Sequence, residues 1–178
     1  WWGIAYARGI HINNPLMTEE QSTLAREAAD KALAALDSET PVERALVEAV
    51  SQRYVVPVPA DRVPLDTAYA AAMERVWHQF PDDADVGALF AEALMNLQPW
   101  DLWTGDGKPK GRALEIVTVL EKTLALRPDH PGANTQAQEM LLELARDEAV
   151  GGADEVQHLD DLAVGGERAA RRRHDHGR

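Results

Sequence analysis

Two corners marked by proline constrain this chain more than any other feature. In IVTVLEKTLALRPDHPGAN, residues 116–134, an apolar helix-forming run stops at Arg127-Pro128-Asp129 and a second start signal follows. YAAAMERVWHQFPDDADVGA, residues 69–88, repeats that punctuation around Pro81. Proline has no amide proton and pushes the preceding residue out of the helical region, so each proline belongs between helices. The flanking runs carry apolar residues at helical spacing: Tyr69, Met73, Val76, Trp77 and Phe80 before the first corner, then Val86, Leu89, Phe90, Ala93, Leu94 and Leu97 after it. Before the second corner the buried set is Leu114, Val117, Leu120 and Leu124.

The remaining segments read the same way. Trp1 to Arg8 predicts a helix with Trp1, Ile4 and Ala5 on one face, broken by Gly9 and Asn13-Asn14-Pro15. Thr18-Glu-Glu-Gln21 is a capping box that opens a helix to about Leu36, with Leu24, Ala28, Ala32 and Ala35 on its buried stripe. Thr40-Pro41-Val42-Glu43 opens the next, which carries Ala45, Leu46, Ala49 and Val50 and ends near Tyr54. The proline-rich VVPVPADRVP, residues 55–64, predicts an extended connector, and QPWDLWTGDGKPKG, residues 98–111, a long loop. Helices are expected over about Leu65–Phe80, Ala84–Leu97, Arg112–Leu126 and from Pro131 to about Ala149. No stretch alternates as a strand does, so the fold class is all-α.

Charge narrows the function classes. The chain carries a net charge of −12. Residues 167–178 hold five Arg against one Glu and one Asp, which leaves −15 on residues 1–166. An acidic body repels phosphate backbones, so nucleic-acid binding by the folded part is not expected. No apolar run is long enough to span a bilayer. Cysteine is absent, which removes disulfides and thiolate metal sites. The chain opens on Trp1-Trp2 within a helical pattern, which reads as a fragment of a longer protein and leaves its compartment open, whether bacterial cytoplasm or exported.

The corners, the small-residue positions and the hairpin spacing resemble the tetratricopeptide repeat, a helix–turn–helix unit ending in a turn proline. Leu120, Leu124 and Leu126 match the apolar positions of a second helix; Phe90, Ala91 and Leu94, and likewise Trp1, Ile4 and Ala5, match those of first helices. More narrowly, WWGIAYARG with INNP, ETPVERALVEA, PWDLWTGDGKP and RPDHPGAN are similar to segments of large bacterial proteins that contain such repeats. The likeness runs from residue 1 to about 134. Beyond it Gln138 stands where the family has a small residue, as an out-of-frame reading or a rearranged coding sequence would produce. The resemblance implies a right-handed stack of antiparallel hairpins over residues 1–150, followed at 151–178 by a short helix and a disordered basic tail.

Such a stack implies a non-enzymatic scaffold whose concave groove takes a protein or peptide, here one of basic character given the acidic body. Tyr6, Arg8, Glu92 and Asn96 lie off the apolar stripes of first helices and are the expected groove residues. Uncapped ends imply self-association. The alternative is a small-ligand protein or enzyme in which loop 98–111 acts as a lid, with Trp100 and Trp103 stacking on a ligand and Asp101 bonding it. Both indoles serve equally well as anchors for a long loop. No cofactor or metal is expected: His11, His78, His130 and His158 are scattered, and neither a phosphate-binding glycine loop nor a metalloprotease motif occurs. Ser22, Ser38 and Ser51 have no neighbouring His, and Glu43 and Glu48 read as solvated helix surface.

Overall fold

The computed structural model describes residues 1–148, which form seven α-helices. They are α1 (Trp2–Ala7), α2 (Glu19–Leu33), α3 (Pro41–Ser51), α4 (Val63–Gln79), α5 (Ala84–Met95), α6 (Ala113–Leu126) and α7 (Pro131–Glu148), with a short 3-10 turn at Leu36–Ser38. Among the described residues there is no strand, only isolated bridges at His11–Asn14 and Trp103–Pro109. The chain divides into two compact units, Trp1–Phe80 and the part from Pro81 onward. The expected short helix at 153–163 and basic tail lie outside the described residues.

The start signals act as the sequence predicts. Thr18 Oγ1 accepts from the Gln21 amide while Gln21 reaches back to the Thr18 amide. Thr40 and Glu43 form the same reciprocal pair. Each satisfies amide protons that a helix start leaves open. At both proline corners the preceding residue leaves the helix: Phe80 has φ −127° and ψ 60°, Arg127 φ −141° and ψ 90°. Two residues past each proline a side chain receives the amides of the next helix. Asp83 accepts from Asp85 and Val86, and His130 Nδ1 from Ala133 at 3.1 Å. The corners are therefore alike in local conformation and in chemistry.

In the first unit α2 packs antiparallel to α1, with Lys31 Nζ 4.7 Å above the Trp1 ring. α3 packs on both. Its C-terminal end meets the end of α1, where Tyr54 donates to the Ala5 carbonyl at 2.7 Å, so α1 and α3 run parallel. The core holds Ala5, Ala25, Ala29, Val50, Tyr54, Tyr69 and Met73. Small residues on α1 and α2 allow the close approach. Trp1, Ile4 and Ala35, expected to be buried, are exposed, and Leu24 is half-buried; Ala28 and Ala32 are buried as expected, and Ala25 and Ala29 join them on the stripe. The connector is extended, as its prolines require, and is fastened to α2: Ser22 donates to the Val55 carbonyl at 2.9 Å and Glu19 accepts from the Val58 amide at 2.8 Å.

Arg53 is the largest fully buried side chain in this unit's core. Its guanidinium donates to the Ile10 carbonyl and lies 4.6 Å from the centre of the Tyr69 ring. A Cβ at Gly9 would fall 2.5 Å from Arg53 Nη1 and 2.6 Å from the Tyr54 hydroxyl, so only glycine fits there. Arg62 donates to the Arg53 carbonyl and to Asp66. Burial raises the Asp66 pKa more than Arg62 and Arg53 lower it.

In the second unit α7 packs on both α5 and α6. Arg127, at the end of α6, pairs with Asp85 at the start of α5, so these two are antiparallel. Gln136 donates to the Ala88 carbonyl and His130 contacts Asp85, so α7 runs parallel to α5. Val86, Phe90, Leu94, Ile116, Leu120, Ala133 and Met140 fill the core. Leu114, expected inside, is exposed, and Leu89 and Leu124 are half-buried. Residues 135–148 continue as a packed helix, although the resemblance seen in the sequence ends before them: Ala137, Met140 and Leu144 are buried while Gln138 faces out. Leu141 is only half-buried and Ala145 exposed, so the packed face lies about one position from the expected one.

Candidate functional site

The first unit carries a cleft of about 360 Å³ between the N-terminal end of α1, the end of α2 and the start of α3. Trp1, Trp2, Gly3, Ala32, Ala35, Leu46 and Val47 line it, and Glu39 and Glu43 add two carboxylates. Trp1 is 60% exposed. Trp2 is held by stacking on Tyr6, with ring centres 5.3 Å apart and planes 8° from parallel. The alanines on α2 keep the floor low, and the Thr40 cap fixes where α3 begins. The Thr40 hydroxyl and amide hold the Glu43 carboxyl below its usual range. Glu43 is therefore a fixed anion and a helix-capping group, which makes it unsuited to act as a general acid near neutral pH. The combination of exposed indole, apolar floor and acidic edge fits an apolar side chain carried next to a cation.

Of the expected groove residues, Tyr6 is half-buried under Trp2 and Arg8 is an exposed C-cap. Glu92 and Asn96 sit on α5. Asn96 is 6% exposed, not solvent-facing as its place off the apolar stripe suggests. α7 packs on α5, with Gln136 bonded to the Ala88 carbonyl and Glu139 close enough to Glu92 to act on its charge. Burial raises the Glu92 pKa to about 7; the nearby Asn96 amide works against this and the Glu139 charge adds to it.

The three loop residues part company. Trp103 is 6% exposed and packed, with its indole nitrogen buried and unpartnered. Trp100 is exposed and has φ 56°, an uncommon conformation for a bulky residue. Asp101 is exposed and paired with Lys110. Beyond them the loop folds on itself: Thr104 and Lys110 amides bond the Lys108 and Leu102 carbonyls, and Gly107 takes φ 78° at the turn. Buried Glu143 of α7 accepts from the amides of both Leu102 and Trp103. Sequence reasoning missed Glu143, since a lone Glu in an amphipathic helix carries no sign of a loop partner 40 residues away.

Among the described residues, the pair with the look of a catalytic dyad is Asp85 and His130. His130 Nε2 lies 3.0 Å from Asp85 Oδ1. Its Nδ1 already accepts the Ala133 amide, so the proton sits on Nε2 and is donated to Asp85. Neither nitrogen is left to take a proton from a nucleophile. Burial pushes the Asp85 carboxyl up, but the bonds from Arg127 and His130 bring it below the usual range. Ser22 likewise spends its hydroxyl on Val55. Among the described residues no group of three or more His, Asp or Glu is arranged to hold a metal ion, and no helix is long and apolar enough to cross a membrane.

No protein-family model matches the sequence, nor does any curated protein or any solved structure. The tetratricopeptide likeness thus rests on the sequence pattern.

Proposed function

We propose that this chain is a non-enzymatic scaffold of tetratricopeptide-like hairpins that binds a basic segment of a partner protein. The observation that carries the reading is the acidic-edged cleft at Trp1 and Trp2. It has room for a leucine- or phenylalanine-sized side chain, and Glu39 and Glu43 lie at its edge for a neighbouring Lys or Arg. The packing supports a repeat origin: in each unit a first helix pairs antiparallel with a second, and a third returns parallel to the first. The competing reading needs loop 98–111 to open as a lid. The two amide bonds to buried Glu143 and the packed Trp103 oppose that motion.

The test is titration of the chain with a capped Arg-Leu-Arg peptide, followed by indole fluorescence and calorimetry. Saturable binding is expected, weakening with salt because the charges are exposed. Glu39→Lys is expected to weaken it roughly ten-fold by reversing one edge charge, and Ala35→Trp to abolish it by filling the cleft. Unchanged affinity in both variants would remove the cleft from the function.

A further inference from the structure

The Trp1–Trp2 cleft asks for an apolar body and a positive charge at once. Two indoles, alanines, Leu46 and Val47 line it, and the charged residues among its lining, Glu39 and Glu43, are both acidic. The Trp1 ring already attracts an ammonium: Lys31 Nζ lies 4.7 Å from its centre, although Lys31 does not line the cleft. Trp2 is braced by Tyr6, so its indole is positioned before any ligand arrives. Hydrogen-bond acceptors are in shorter supply than charge. The Thr40 hydroxyl at 2.6 Å and amide at 2.8 Å both donate to Oε2 of Glu43. The carboxylate keeps its field while one of its oxygens is taken. A primary ammonium is a compact, strongly hydrated charge, and entering here it exchanges water for few acceptors. Methylation removes the N–H groups and keeps the charge, so no donor is left unpaired.

We propose that the residue this cleft takes from its partner is an N-trimethylated lysine. The trimethylammonium group lies against the indoles in the field of Glu39 and Glu43, and the alkyl stem runs along the apolar floor. A volume of about 360 Å³ holds more than that head group alone, which assigns the ligand to a side chain with its stem and not to a free quaternary amine. The inference rests on the reading that this cleft is the binding surface. It narrows that reading from an apolar residue beside a cation to one side chain that is both.

The whole chain is titrated with capped Ala-Lys-Ala peptides whose lysine is unmodified, trimethylated, or replaced by the neutral analogue ending in a tert-butyl group, and with choline. Indole fluorescence and calorimetry read the binding. The trimethylated peptide is expected to bind roughly ten-fold more tightly than the unmodified peptide and than the tert-butyl analogue, and choline more weakly than the peptide. Trp1→Leu keeps an apolar wall and removes the π face. Trp1 is 60% exposed, so the fold does not depend on it, and the variant is expected to lose the preference for trimethyllysine over the tert-butyl analogue. Equal affinity for those two peptides in the unaltered chain, a preference that survives Trp1→Leu, or choline binding as tightly as the peptide would overturn the proposal. The capped Arg-Leu-Arg peptide separates the two readings. If it binds while trimethylation brings no gain, trimethyllysine recognition falls and the scaffold reading stands; if no peptide binds, both fall.

Discussion

Single residues carry much of the first unit. Gly9 and Arg53 illustrate it: the bend after α1 is closed because a guanidinium and a phenol occupy the space a side chain would need. Gly9→Ala is expected to destabilise the chain by about 1–3 kcal/mol, as overpacking does. Gly3→Ala is the matched control. Gly3 lies in α1 with nothing near its missing Cβ, so that change is expected to be neutral or to stabilise by about 0.5–1 kcal/mol. Urea denaturation of the two variants checks both signs. From the sequence alone Gly9 is only a helix breaker. What makes it irreplaceable is Arg53, 44 positions away, and no local pattern reports a contact of that range.

Elements show where the sequence is legible and where it is not. Caps and proline corners are local chemistry, so Thr18, Thr40, Pro81 and Pro128 announced where helices start and stop. Helix faces are tertiary matters. Leu114 and Trp1 satisfy the periodicity of their helices yet face outward, because the neighbouring helices that would cover them are not packed there. Glu92 and Asn96 were legible as polar positions on α5 but not as a covered pair, since the cover comes from the α7 stripe. That cover has a consequence for pH. Glu92 is faced by Glu139 from α7 and by Asn96 on its own helix, and its folded pKa of about 7 lies above the ordinary 4.5. The folded state thus binds the proton more tightly than the unfolded state. The stability this contributes is complete below about pH 4.5 and is lost as pH rises through about 7. Glu92→Gln is expected to leave stability near pH 5 little changed and to raise it at pH 8 by roughly 1–3 kcal/mol. Denaturation curves at the two pH values test this; a gain independent of pH would point to packing instead of ionisation.

At the scale of the whole molecule, the account rests on hairpins that serve as a binding scaffold, with loop 98–111 as a fixed strap. The spacing of the corners supports it. Pro81 and Pro128 are 47 residues apart, and the same step carries Glu92 onto Glu139 and Asn96 onto Glu143, on the parallel helices α5 and α7. All-α class was plain from periodicity. The division into two units was not, because the corner at Pro81-Asp82 carries the same proline–aspartate turn as the one at Pro128-Asp129.

Hydrogen–deuterium exchange of the whole chain, with and without saturating Arg-Leu-Arg peptide, tests the scaffold reading most directly. The account predicts new protection in α1, the end of α2 and the start of α3, while the Leu102 and Trp103 amides, already bonded to Glu143, exchange slowly in both states. Fast exchange at those two amides in the free chain, slowed only when ligand is added, would contradict it and identify the loop as a lid.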